Sequence, residues 1–284
     1  ENMLRLDRSV LVNLGFRLDH SALTQELKIS PRFLVAYRVD SVTTLNAAWG
    51  LYYQTPTYQQ LLSASREGLL PQRMQRAFHY VVGMERVLRP DLTFRVQAYY
   101  KRLEDLISFE RLRSGELVHS GRNDSRAVVK GVDFQASFAD GRVMGWMNFS
   151  LMEAREINSS DGQGWRYRAT DQRITITAIF EYRVADKWVW NLRSYYGSGF
   201  AFVDDDPGVR RYPRLHYPEY KRIDVRLSHS FKVHAVSSTV FVEITNLFST
   251  PNVLSFKPIP KDQFTPDHNL LLPMNLNAGV RLVF

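Results

Sequence analysis

At 284 residues, 44% hydrophobic and 23% charged, the chain has the make-up of an ordinary folded protein of one large domain or two, and no run reaches the 18 or so consecutive apolar residues of a membrane-spanning helix. With no cysteine it holds no disulfide, thiolate metal site or cysteine nucleophile. Its net charge of +8 is scattered rather than blocked, and no helix-turn-helix, finger or RNA-binding signature accompanies it, which excludes nucleic acid as the expected partner.

The first residues, Glu1 to Asp7, lack a charged-then-apolar signal pattern, so any targeting signal is expected to have been removed or to lie upstream. From there on, period-two alternation recurs and helical periodicity is nearly absent. The predicted strands are centred on residues 9 to 20, 31 to 40, 43 to 54, 75 to 88, 92 to 104, 127 to 139, 142 to 153, 172 to 184, 187 to 198, 220 to 232, 238 to 247 and 275 to 284. In the first, Val12, Leu14, Phe16 and Leu18 alternate with Asn13, Gly15, Arg17 and Asp19. In the fifth, Phe94, Val96, Ala98 and Tyr100 alternate with Arg95, Gln97, Tyr99 and Lys101. The tenth is the clearest, Ile223, Val225, Leu227, His229 and Phe231 facing away from Arg222, Asp224, Arg226, Ser228 and Ser230. The last keeps Leu276, Ala278, Val280, Leu282 and Phe284 on one side.

Short connections join strands two to three, four to five, six to seven and eight to nine, and long ones fall between, over about 55 to 74, 105 to 126, 154 to 171, 199 to 219 and 248 to 274. Tight turns at one end and long loops at the other describe an up-and-down antiparallel sheet. A soluble sandwich also alternates, but its strands usually run to about 5 or 6 residues. These run to about 10 to 13, near the 9 to 11 that carry a tilted strand across a bilayer. Charges at successive positions of the polar faces suit a wet or plugged lumen. Trp188 and Trp190 beside a short turn, Trp49 and Tyr53 on one face of the third strand, and Phe284 at the end suit interfacial girdles. The fold class expected is all-β, a transmembrane antiparallel up-and-down barrel.

Several phrases, in this order, carry a family resemblance. They are Ser30-Pro31-Arg32 with Ala36-Tyr37-Arg38 and Thr44 through Pro56; Gly83-Met84-Glu85 through Ala98-Tyr99-Tyr100-Lys101-Arg102 to Asp105-Leu106-Ile107; Gly131-Val132-Asp133; and Ile244-Thr245-Asn246-Leu247-Phe248. Together they resemble the C-terminal half of the barrel of a TonB-dependent outer-membrane receptor. Asp171-Gln172-Arg173 and Tyr195-Tyr196-Gly197-Ser198-Gly199 look most like receptors of Bacteroidota-type bacteria. The resemblance implies a 22-stranded barrel of which residues 1–284 supply about the last twelve strands, with the plug and early strands outside this sequence.

What the resemblance implies about function is active transport. A scarce nutrient (siderophore, cobalamin, oligosaccharide or peptide) binds at extracellular loops and enters the periplasm on proton-motive force transmitted by TonB. No cofactor and no metal are expected. The implied partners are the inner-membrane TonB protein, acting through a plug outside this chain, the missing N-terminal barrel half, the barrel-assembly machinery reading Phe284, outer-membrane lipid and lipopolysaccharide, and a surface lipoprotein. The location implied is the outer membrane of a Gram-negative cell.

Candidate solute contacts are the aromatic and cationic residues of the long connections, whose rings stack on flat ligands and whose guanidinium forks pair with anionic oxygens. They are Tyr53, Tyr58, Trp165, Tyr167, Tyr196, Phe200, Arg210, Arg211, Tyr212, His216 and Tyr217, with the segment from Arg210 to Tyr217 the leading one. Asp204-Asp205-Asp206 lacks the alternating ligand spacing of calcium loops and reads as a solvated acidic turn. An outer-membrane enzyme needs nucleophile and base on one face within reach. Ser228 and His229 point to opposite faces, while His79 and Glu85 share one about 20 Å apart, so the chain is expected not to be an enzyme. A passive porin, or a structural subunit of an outer-membrane assembly, is the remaining alternative.

Overall fold

The computed structural model describes residues 2–66, 72–111, 117–160, 162, 164–201, 216–256 and 268–283. In chain order the elements are β1 (Asn2–Arg5), β2 (Val10–Ser21), β3 (Glu26–Arg38), β4 (Thr43–Gln54), α1 (Tyr58–Arg66), β5 (Gln75–Arg89), β6 (Leu92–Leu106), β7 (Phe109–Arg111), β8 (Leu117–His119) and β9 (Ser125–Asp140). They continue with β10 (Val143–Asn158), β11 (Arg166–Tyr167), β12 (Ile174–Ala185), β13 (Trp188–Gly197), β14 (Tyr220–Val233), β15 (Val236–Thr245), β16 (Val253–Phe256), β17 (His268–Leu270) and β18 (Asn275–Val283).

Fourteen strands form one sheet in the order β1-β2-β3-β4-β5-β6-β9-β10-β12-β13-β14-β15-β18, with β11 added beside β10. Every ladder is antiparallel, as in β9 to β10, which runs unbroken from Asp140↔Val143 to Ser125↔Asn158. The hairpins β7-β8 and β16-β17 stand apart. The sheet is open, since β1 and β18 do not pair with each other, and a partial barrel has this form. All twelve strands expected from alternation are present. The additions are the short β1, the helix α1 and the small hairpins of the connections.

Burial is reversed relative to a soluble sandwich. Among the described residues the buried apolar side chains are few: Met74, Ile107, Ala127, Ala154 and Ala201. The large apolar side chains stand on one exposed face, with Phe16 at 78% and Val82 at 58%. The register shows that this face is continuous. Leu14 faces Phe33 across β2 and β3, Phe33 faces Trp49, Trp49 faces Tyr80, and Tyr80 faces Tyr100. Further round, Phe134 faces Phe149, which faces Ile176. The other parity builds an equally continuous polar face, from Asn46 through Gly83 and Gln97 to Asp133 and Ser150.

Strand length places the two ends. β9 and β10 have 16 residues each, about 53 Å at the usual rise, more than the 9 to 11 residues that span hydrocarbon. On β10 the outward residues from Gly145 through Met147, Phe149 and Leu151 are uncharged, and Glu153 and Arg155 follow. The apolar band thus begins at the tight turns and ends before the long connections.

Candidate functional site: the lumenal wall and the loop bases

The inward wall carries a row of rings and cations in its upper half. The Arg32 guanidinium lies 4.8 Å from the Tyr52 ring centre, and Tyr52 lies 4.5 Å from His79. His79 faces Lys101 across β5 and β6, and Lys101 Nζ sits 4.9 Å over Tyr99. Gly131 makes room for that tyrosine, because a Cβ there would lie 2.6 Å from both Tyr99 Cζ and the Leu151 carbonyl oxygen. Beside it Ser150 donates to Asp133. Lower on the wall Glu85 pairs with Arg95, and Asn191 donates to Glu181 at 3.1 Å. At β14 Arg222 Nε donates to Asp224 at 2.7 Å, and Arg226 lies 3.7 Å from the Phe241 ring centre. The lumenal charges Arg222 and Asp224 therefore pair within the wall.

At the base of the long connections one carboxylate joins three segments. Asp171 is fully buried. Its Oδ1 accepts from the Ala154 amide of β10 at 2.6 Å, and its Oδ2 accepts from Arg173 Nε at 2.8 Å. His216 Nε2 stands 3.9 Å from Oδ2, and the Asp171 carbonyl accepts from the Ala201 amide at 2.9 Å. A buried carboxylate persists only when its oxygens are satisfied in this way. The next residue continues the stitching: Gln172 Nε2 donates to the Ser198 carbonyl at 2.9 Å and Thr175 donates to Gln172 Oε1 at 3.1 Å. The final connection is tied likewise. Asn246, at φ 52°, a conformation that asparagine tolerates, donates to the carbonyls of Thr250 and Leu272 at 3.0 and 3.2 Å.

The sequence-derived contacts fall into distinct places. Tyr167 and His216 come together, with ring centres 6.1 Å apart, and Tyr167 lies between the guanidinium groups of Arg155 and Arg173 at 5.0 and 4.4 Å. Phe200 accepts the Tyr217 amide at 2.8 Å, and His216 bridges Ala201 beside it. Tyr53 and Tyr196 stand on the outward face, Tyr53 in the parity of Trp49 with Lys28 Nζ 5.6 Å from its ring, and Tyr196 in the parity of Trp188 and Trp190 with Lys221 Nζ at 6.0 Å. Tyr58 opens α1 and Trp165 precedes β11, and both are exposed. Arg210, Arg211 and Tyr212, the acidic run from Asp204 to Asp206, and Phe284 lie outside the described residues.

Sequence reasoning did not single out Asp171 as a functional residue, or the Arg32, Tyr52 and His79 row. The signal for Asp171 was its place between two cationic residues just ahead of a strand. The signal for the row was inward parity. The enzyme arrangement is absent from these pairs: Ser228 accepts from Arg226 at 3.2 Å on the wall, while His229 stacks outward on Trp188 at 4.3 Å. Glu85 and His79 face different partners, Arg95 and Lys101. Among the described residues no group of three His, Asp or Glu side chains is placed to hold a metal ion.

Comparison with known proteins agrees with this architecture. No curated protein sequence matches the chain. Its fold is similar to the outer membrane transporter YddB from Escherichia coli, with a TM-score of 0.71 at 13% identity, over 96% of this chain and 43% of that one. It is similar to the ferric-catecholate import receptor Fiu from K12 E. coli, at 0.65 and 14%, over 98% and 43%. It is also similar to the ferric enterobactin receptor PfeA from Pseudomonas aeruginosa, at 0.66 and 13%, over 88% and 39%. The chain thus spans about two fifths of the length of these structures. The family model described as TonB dependent receptor-like, beta-barrel matches residues 1–247, so this chain belongs to the TonB-dependent receptor β-barrel family, whose members are receptors and transporters of the outer membrane.

Proposed function

We propose that residues 1–284 form the C-terminal part of the barrel domain of an active-transport receptor in the outer membrane of a Gram-negative cell. The receptor binds a scarce nutrient at its long loops and releases it to the periplasm with energy delivered by TonB. The observation that carries this reading is the two-sided sheet. An exposed apolar face of hydrocarbon-spanning height backs onto a wall of rings and ion pairs, and every long connection lies at one end.

TonB acts through a plug contributed by the part of the receptor outside this chain, and the N-terminal barrel half closes the wall against β1 and β18. Phe284 serves the barrel-assembly machinery, and a surface lipoprotein can cover the loops. In this reading the segment from Arg210 to Tyr217, whose described end His216 lies beside Tyr167 and Asp171, contacts the solute. Iron chelates are the first solutes to test, since Fiu and PfeA are described as ferric-catecholate and ferric enterobactin receptors.

Uptake of a panel of ferric chelates, cobalamin, oligosaccharides and peptides by cells carrying the intact receptor is the decisive measurement. One solute is expected to accumulate, and a protonophore to abolish that accumulation. Uptake indifferent to the protonophore, with large constitutive conductance in planar bilayers, identifies a passive porin instead. Alanine replacement from Arg210 to Tyr217 is expected to weaken whole-cell binding of that solute at least tenfold, and undiminished binding removes this segment from the site.

A further inference from the structure

The two ends of the sheet treat their charges differently. At the long-loop end cations are matched by carboxylates: Glu153 receives Arg155 and Arg173, each at 3.0 Å, Glu156 receives Arg168 at 2.9 Å, and Glu104 receives Arg76 at 2.7 Å. At the tight-turn end most are not. The turns there join, in sheet order, β1 to β2, β3 to β4, β5 to β6, β9 to β10, β12 to β13 and β14 to β15. Each carries an exposed cation in the turn or within two residues of it, namely Arg8, Arg38, Arg89, Arg142, Lys187 and Lys232. Arg5, Arg86, Arg183 and Arg281 are exposed at the same end.

The aspartates of this end do not neutralise the row. Asp7 accepts from the Arg8 amide at 2.5 Å, and Asp40 from the amides of Val42 and Thr43 at 2.8 and 2.7 Å, the use such side chains have in turns. Among the described residues the ion pairs here are Glu85 with Arg95, Arg89 with Asp91 at 2.8 Å and Arg183 with Glu181 at 3.8 Å. Arg8, Arg38, Arg142, Lys187 and Lys232 therefore pair with no described carboxylate. None of these five belongs to the outward apolar band. Arg8, Arg142 and Lys187 lie in the turns, past the strand ends, while Arg38 keeps the inward parity of Arg32, and Lys232 that of Asp224.

Successive turns stand two strands apart, about 10 Å. In a polyproline II chain every third residue returns to the same face after about 9 Å, so a peptide in that conformation meets one turn with each third side chain. We propose that this rim is a docking surface for an extended acidic peptide, a disordered segment of a periplasmic protein with a carboxylate at every third position. Arg38, Arg89, Arg142, Lys187 and Lys232 take those carboxylates in succession. Guanidinium forks suit carboxylate oxygens, and a charged segment of low hydrophobicity stays unfolded until such a surface orders it. A folded domain fits less well, because its interface needs a packed apolar centre, whereas three successive turns offer only Gly141-Arg142, Asp186-Lys187 and His234-Ala235. The inference rests on the reading of the tight turns as the periplasmic end.

The test titrates the intact receptor in detergent, at physiological salt so that loose surface attraction is screened, with a fluorescent peptide of five Glu-Pro-Pro repeats or with the same residues arranged as five glutamates followed by ten prolines. The native receptor is expected to bind the spaced peptide at least fivefold more tightly. The triple variant Arg142→Gln, Lys187→Gln, Lys232→Gln is expected to weaken that binding at least fivefold, and Arg142→Lys with Lys187→Arg to retain it. A control of Arg102→Gln, Arg126→Gln, Lys130→Gln removes the same charge from the opposite end and is expected to leave it unchanged. Heat-modified gel migration reports folding separately, and where the triple variant does not fold, Lys187→Gln alone is read for about a twofold loss. Ser41→Cys, expected to react with an impermeant maleimide only after the outer membrane is opened, checks the orientation by itself; reaction on intact cells removes the periplasmic partner even where the peptide binds. Equal binding of the two peptides, undiminished binding by the triple variant, the same loss in the opposite-end control, or displacement by phosphatidylglycerol vesicles or soluble peptidoglycan fragments at equal charge each overturns the proposal.

Discussion

The two faces of the sheet are made from the same strands and solve opposite problems. Outward, Phe134 and Phe149 lie side by side with ring centres 6.0 Å apart, and nothing polar interrupts the band from Ala136 to Val132. Inward, one residue away along the same strands, Asp133 accepts from Ser150 and Gln135 accepts from Arg95 at 3.4 Å. A sheet buried on both faces reads as continuous apolar strands, and one with a wet side alternates. Here the alternation persists while the apolar side is the exposed one, which identifies the surrounding medium rather than an internal core as the apolar phase.

The largest expected effect comes from placing a charge in the outward band. Val132→Arg is expected to cost about 2–4 kcal/mol at the middle of the hydrocarbon, whereas Gln135→Arg, facing the lumen, changes stability by less than about 1 kcal/mol. Denaturant unfolding of the intact receptor in detergent measures both, and equal costs would erase the distinction between the faces. Next, Asp171→Ala leaves the Ala154 amide and Arg173 without their carboxylate and is expected to cost about 2–3 kcal/mol, with faster hydrogen exchange at Ala154. The same substitution is expected to weaken solute binding by the connection that starts at Ala201.

Gly131→Val tests the ring row from the inner side. The added side chain meets Tyr99 and the Leu151 carbonyl, so a cost of about 1–3 kcal/mol from overpacking is expected, and a compensating Tyr99→Ala is expected to recover part of it. The smallest effect is at the tight-turn end. Asp40 accepts from the amides of Val42 at 2.8 Å and Thr43 at 2.7 Å, bonds that hold its carboxyl below the usual aspartate range, the Val42 amide foremost. A lowered folded-state pKa gives a contribution that is complete above the ordinary value, about 4, and disappears as pH falls through the lower folded value. Amide exchange at Val42 and Thr43 is therefore expected to speed up only on acidification below about pH 4, and Asp40→Asn to remove that dependence.

What could be read before the coordinates were known follows from repetition. Twelve long strands repeat a period of two often enough to be legible, and the ends of β4, β5, β6 and β13 fall within a few residues of their expected positions. β1 has 4 residues, too few to show a period. α1 carries a capping box, the Thr57 amide donating to Gln60 Oε1 at 2.8 Å and the Gln60 amide to Thr57 Oγ1 at 3.4 Å, but with 9 residues it is too short to show a helical period. Sequence proximity to a loop grouped Tyr53 and Tyr196 with Tyr167, although Tyr53 already read as a girdle residue beside Trp49; strand parity puts both Tyr53 and Tyr196 on the outward face. Asp171 depends on amides and carbonyls from segments distant in sequence, such as Ala154 and Ala201, and no local pattern announces such partners.

In the main sheet each strand pairs with the strand before or after it in that sheet, and the insertions between them, α1, β7-β8 and β16-β17, leave the order untouched. A wall of this kind can be zipped together one hairpin at a time, each step templated on an edge already in place. Severing the polypeptide within a long connection therefore leaves every ladder whole, and the two fragments keep matching edges by which to rejoin. Co-expression of a pair divided between β6 and β9 is a direct way to watch such a cylinder reassemble.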